Sequence, residues 1–131
     1  MLNLPVLLAA AVLAGVPCEH PGEWPHSRDA VWLARVLHRA GYAREECTGS
    51  AFVIRLGRRD LYVWAFTSRL NRIPHTRIAH VAGVAVQVEA GLRAAWRSRR
   101  RLVWVEAGPT SRTLPPLPQL APLIRATLRV P

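Results

Sequence analysis

The sequence predicts a small α+β domain, a single antiparallel sheet of about five strands with two helices packed on it. Three observations carry this prediction. Ser50–Phe66, SAFVIRLGRRDLYVWAF, alternates with period two on both sides of a tight turn, as a β-hairpin does. Ser27–Ala40 places its apolar residues at helical spacing between start and stop signals. Val84–Ala107 repeats the period-two pattern three times with short turns between, which makes an antiparallel meander. At 131 residues, half of them hydrophobic, one domain with a packed core is expected.

Residues 1–17, MLNLPVLLAAAVLAGVP, form an apolar segment set apart from a domain at 18–131. The run has the length of a signal-peptide core and is short for a membrane span, which needs about 20 residues. Val12-Leu13-Ala14 is an acceptable cleavage triplet, but no basic residue precedes the run and Pro5 interrupts it. Gly15-Val16-Pro17-Cys18 departs from a lipidation box by two inserted residues. Export or anchoring and retention in the cytoplasm therefore stand as alternatives, as does an N-terminal element packed on the domain.

Cys18–His26 is broken by Pro21, Gly22 and Pro25 and reads as an irregular linker. Cys18 and Cys47 are the only cysteines, and an even pair fits one disulfide or two free thiols. Cys18, His20, His26 and Cys47 match no zinc spacing, so no metal site is assigned.

In the first helix Ser27 can cap, Asp29 meets the positive end of the dipole, and Gly41 terminates. Ala30, Leu33, Ala34, Val36, Leu37 and Ala40 share the buried face, with Trp32 at its half-buried boundary. Gly41–Gly49 reads as a loop. In the hairpin, Phe52, Ile54 and Leu56 form one stripe, and Leu61, Val63 and Ala65 another. Tyr62, Trp64 and Phe66 share the opposite face of their strand. The expectation is that this face is core, because large aromatics supply much of a small domain's burial. Turned outward, it would be a ladder for stacking bases or sugar rings.

Thr67–Gly83 reads as an irregular crossover with Arg69, Arg72, Arg77, His75 and His80. Strands follow at Val84–Glu89, Leu92–Arg97 and Arg101–Ala107, with a helix over Glu89–Trp96 as the rival for the middle one. Gly108–Pro118 is a proline-rich segment that crosses the domain, and Gln119–Val130 a short second helix.

The formal net charge is +10, from 18 arginines, no lysine and eight acids. A GC-rich coding sequence accounts for arginine over lysine but not for the excess over acids. That excess favours an anionic partner: a protein surface, nucleic acid or membrane headgroups. The candidate contact residues are Arg69, Arg72, Arg77, Arg97, Arg99, Arg100 and Arg101. The Arg97–Arg101 run also suits a solvated hairpin tip that blunts the sheet edge.

No glycine-rich phosphate loop, nucleophile elbow, paired CxxC or HExxH occurs, and no cofactor or catalytic residue is assigned. Adjacent Glu45 and Glu46 do not make a catalytic pair. Cys47 or Ser50 beside His75 or His80 would be needed for a small hydrolase, the remotest reading. The favoured reading is a non-enzymatic binding domain, and the alternative is a nucleic-acid binder that holds phosphates with its arginine loops.

Overall fold

In the computed structural model, residues 28–42, 44–48 and 51–131 are described, those at 44–48 by backbone alone. Helix α1 spans Arg28–Arg39. Seven strands follow: β1 Arg44–Thr48, β2 Ala51–Leu56, β3 Arg59–Thr67, β4 Arg77–Val81, β5 Val84–Glu89, β6 Arg93–Ser98 and β7 Arg101–Ala107. A short 3₁₀ turn, Leu117–Leu120, leads into α2, Ala121–Arg129. Among the described residues no helix is long and apolar enough to cross a membrane. The segment at residues 1–17 and Cys18 lie outside the described residues, as does the side chain of Cys47.

All strands are antiparallel, in the order β1-β2-β3-β7-β6-β5-β4. The sheet is two meanders, β1–β3 and β4–β7, joined where β3 pairs with β7. Because β4 lies at the far edge, the chain leaving β3 must cross the sheet before it can start the second meander. That crossing is residues 68–76, and it runs over the face away from the helices.

The helix side of the sheet is the core. Phe52, Ile54, Leu61, Val63, Val105 and Trp96 pack there against Leu33, Val36 and Leu37 of α1 and Leu123 and Ile124 of α2. Each such side chain contributes about 1.5–3 kcal/mol by leaving water. Helix α1 ends as its glycine predicts. Gly41 has φ of 81°, its N–H donates to His38 and that of Tyr42 donates to Leu37, closing a Schellman motif. Burial raises the Tyr42 phenol above its ordinary 10.0. Helix α2 is fixed to β6 through Thr127, whose hydroxyl accepts from Trp96 Nε1 at 2.9 Å and whose carbonyl accepts from Ser98 Oγ at 2.7 Å.

The α+β class, the antiparallel sheet and both helices are as read, and β5 and β7 keep the boundaries read from the sequence. The strand count is seven rather than about five. β1 lies where a loop is expected and β4 inside the expected crossover. Both are edge strands, where pairing on one side and little apolar content suffice. In β4, Ala79 and Val81 turn towards the core while Ile78 and His80 turn away, an alternation obscured by Arg77 and His80. The β4–β5 turn at Ala82-Gly83 has φ of 53° and 76°, the two positive values of a type I′ hairpin. No helix forms over Glu89–Trp96. Trp32 is 1% exposed, a core residue rather than a boundary one. On α2, Leu123, Ile124 and Ala126 are buried while Leu128 is exposed.

Candidate functional site

The crossing chain and the β6–β7 turn meet at one corner of the outer face. Ser68 N–H donates to the Arg100 carbonyl at 3.1 Å, which carries the β3–β7 ladder one step past the strand. Ser68 Oγ accepts from Leu70 N–H at 3.0 Å and bends the chain over the sheet. Between these two segments lies a cleft of ≈ 660 Å³, lined by Thr67, Ser68, Arg69, Asn71 and three arginines of the β6–β7 hairpin, Arg97, Arg99 and Arg100.

The seven candidate arginines fall into different environments. Arg97 donates Nη1 to the Ser68 carbonyl at 2.8 Å and Nη2 to the Leu70 carbonyl, so its fork straps the crossing chain to β6. Arg101 donates Nε to Asp29 Oδ1 at 2.9 Å, and its guanidinium lies 4.6 Å from the centre of the Trp32 ring. Asp29 also accepts from Thr67 N–H at 2.7 Å and from its hydroxyl at 3.1 Å. Asp29 thus clamps α1 to the end of β3 and neutralises Arg101, beyond the dipole role its position suggests. Arg72 donates to the Thr76 carbonyl at 2.8 Å. Arg77 stands on edge strand β4, outside the cleft.

Arg69, Arg99 and Arg100 remain. All three are exposed, and among the described residues no acidic group pairs with them. Arg99 has φ of 58° at the first position of a two-residue turn. A side chain there costs about 1–2 kcal/mol of backbone strain that glycine would avoid. Such strain recurs where a site requires the side chain.

Sequence reasoning missed Gln87, which holds the crossing chain. Buried on β5, its Oε1 accepts from Ile73 N–H at 2.6 Å and from the Thr76 hydroxyl at 3.2 Å. Its Nε2 donates to the Asn71 carbonyl at 3.1 Å. Ile73 is thereby seated on Ala95 and Leu102. A glutamine inside an alternating strand signals an outward polar residue, and only the crossing chain converts it into a buried one. Gln87→Leu is expected to cost about 2–3 kcal/mol, since backbone groups of Asn71 and Ile73 lose their partner. Amide exchange at Ile73 should accelerate well beyond that of β5; unchanged protection there would show that the crossing chain is held by other contacts.

The aromatic face is outward, contrary to the expectation that it is core. The register Trp64↔Trp104 and Phe66↔Leu102 sets Tyr62, Trp64 and Phe66 on the side opposite the helices, because Leu61 and Val63 take the inner positions. Trp104 of β7 completes the group. Tyr62 and Trp64 have ring centres 5.7 Å apart, and Phe66 and Trp104 have them 6.3 Å apart, both tilted. A depression of ≈ 300 Å³ is lined by Trp64, Phe66, Trp104 and Glu106. Trp104 Nε1 donates to Glu106 Oε2 at 2.8 Å, and the Arg93 guanidinium lies 5.7 Å from the Trp104 ring.

Asp60 is buried, with its carboxylate accepting from Thr110 N–H and Oγ1. His75 sits on an exposed turn with φ of 66°, and His80 borders a separate hollow with Leu117 and Arg125. Neither histidine lines the arginine cleft. Among the described residues, no three or more His, Cys, Asp or Glu side chains gather where they could hold a metal ion. Compared with known proteins, the chain matches no family model, no curated protein and no solved structure.

Proposed function

We propose that the chain is a non-enzymatic binding module that seats an anionic group of its partner in the cleft beneath the Arg99-Arg100 turn. The observation that carries this reading is the convergence of Arg69, Arg99 and Arg100 on one cleft with no counter-charge among the described residues. The two arginines beside them, Arg97 and Arg101, have internal acceptors. The free three therefore present forked donors suited to oxyanions.

The lining supports binding over turnover. Its titratable groups are all guanidiniums, which stay protonated and cannot accept a proton. The Thr67 hydroxyl donates to Asp29, and Ser68 Oγ accepts from Leu70. No imidazole or carboxylate is among the lining residues to serve as a general base.

The test is a titration of the full chain with inorganic polyphosphate across a salt series. Affinity is expected to fall steeply with salt, because each neutralised phosphate releases counterions. The triple variant Arg69→Ala, Arg99→Gly, Arg100→Ala should bind at least about tenfold more weakly, and its salt slope should shrink by roughly two units, at about 0.7–0.9 per contact. Arg99→Gly is chosen because the backbone there favours glycine. Arg77→Ala should bind as the parent does. A triple variant with parental affinity, or an Arg77→Ala variant equally impaired, would place the anion elsewhere.

A further inference from the structure

We propose that the aromatic depression and the arginine cleft form one continuous site for single-stranded nucleic acid. Bases stack on Trp64, Phe66 and Trp104, and phosphates meet Arg69, Arg99 and Arg100. This inference rests on the cleft being an anion site, and it names the polyanion.

The first support is proximity. Phe66 lines the depression, and Ser68, two residues on and bonded to Arg100 one step past the β3–β7 ladder, lines the cleft. The second is the nature of the surface. Phe66 is 38% exposed and Trp64 and Trp104 are half-buried, on β3 and β7 at the centre of the sheet. Rings presented from paired central strands are already ordered, so stacking on them immobilises little of the protein. Every base offers a π-face, which makes such a platform tolerant of sequence.

The third is complementarity of charge and shape together. An acidic protein would satisfy the arginines but carries no regular supply of planar rings. A duplex satisfies the arginines and hides its rings inside. A second copy of this chain would bring another +10 against the same arginines. A single strand alternates planar apolar groups with phosphates, as the surface alternates rings with guanidiniums.

Spacing points the same way. Successive outward residues of a strand lie about 6.6 Å apart, whereas stacked nucleotides rise about 3.4 Å. A strand following Trp64 and Phe66 must open its own stack and stack on protein. Glu106 orients it. Its carboxylate is at the Tyr62 end of the platform, away from the arginine corner, where it repels phosphate and can accept from an exocyclic amine.

The experiment measures the full chain against three probes: a short fluorescein-labelled oligothymidylate, the duplex of the same length, and inorganic polyphosphate. The single strand is expected to bind at least about tenfold more tightly than the duplex at equal salt. Phe66→Ala and Trp104→Leu should each weaken the single strand by about tenfold, the scale of one lost stack. Neither should alter polyphosphate binding. The arginine triple variant should weaken both. Thermal melts check that each ring variant folds; if Trp104→Leu does not, Phe66→Ala and Phe66→Leu carry the test.

Ring variants that bind the oligonucleotide as the parent does, while the arginine variant does not, would overturn this inference and leave the anion site standing. Failure of polyphosphate and oligonucleotide alike at low salt would remove the anion site as well. A parent that sediments as a dimer and becomes monomeric on Phe66→Ala would make this face a self-interface and overturn the inference.

Discussion

Trp32→Ala is expected to lower the unfolding free energy by about 4 kcal/mol, within the range for truncating a buried Trp. Domains of this kind are stable by only about 5–15 kcal/mol, so roughly a quarter or more of the margin would go. Three losses coincide. The ring is 1% exposed between α1 and the rest of the core, so its removal leaves a cavity. Its Nε1 donates to the Val130 carbonyl at 2.8 Å, and that carbonyl becomes a buried unpaired acceptor. Its face carries the Arg101 guanidinium, which Asp29 holds from the other side. Urea unfolding measures the total. Trp32→Phe separates the parts: it keeps most of the volume and should cost about 1–2 kcal/mol, chiefly the hydrogen bond. A Trp32→Ala loss below about 1 kcal/mol would mean that α1 is not anchored through this residue.

Gly108→Ala is expected to cost about 3 kcal/mol, although it adds one methyl group. A Cβ at this position would lie 2.7 Å from the backbone carbon of Asp60, and 2.8 Å from both its Cγ and its carbonyl oxygen. The obstacle is the backbone of β3, which pairs on both sides and cannot yield. Gly108 N–H also donates to the Asp60 carbonyl at 2.9 Å, so the close approach is itself a bond. Beyond it, Thr110 Oγ1 donates to Asp60 Oδ2 at 2.7 Å, and Asp60 N–H donates to Ser111 Oγ at 3.1 Å. These contacts return the proline-rich segment across the sheet and deliver α2 to β6. Pushing Gly108 off β3 strains all of them together. Thermal melting of Gly108→Ala against Gly41→Ala, where a Cβ meets nothing within 4 Å, distinguishes the two kinds of glycine. Gly41→Ala carries only the penalty of a positive φ, about 1 kcal/mol. Equal losses at the two positions would show that the contact with Asp60 is relieved by movement.

Both effects lie in the framework that supports the outer face. Trp32 and Asp29 hold Arg101 on the inner side of the β6–β7 hairpin, while Gln87 and Arg97 strap the crossing chain onto the sheet. Together these hold the two walls of the arginine cleft in place. Weakening them is expected to reduce binding indirectly, by loss of order, whereas Arg69, Arg99 and Arg100 act on the partner directly.

By itself the sequence determined the class of fold, the amphipathic helix, the hairpin and the meander. Each rests on local periodicity, and a period of two or of 3.6 needs no partner to be seen. Edge strands β1 and β4 escaped notice because an edge need not be apolar. Parity in the sequence put Tyr62, Trp64 and Phe66 on one face but could not say which face meets the helices. Tertiary structure decided that, since Leu61 and Val63 pair with Ile54 and Phe52 and form the continuous apolar surface that α1 covers. It also decided which arginines are available. In the sequence Arg97, Arg99, Arg100 and Arg101 are equal members of one run. In the fold Arg101 meets Asp29, 72 residues away, and Arg97 meets Ser68, 29 residues away. A charge can be counted along a chain, but whether it is neutralised depends on neighbours that only folding supplies.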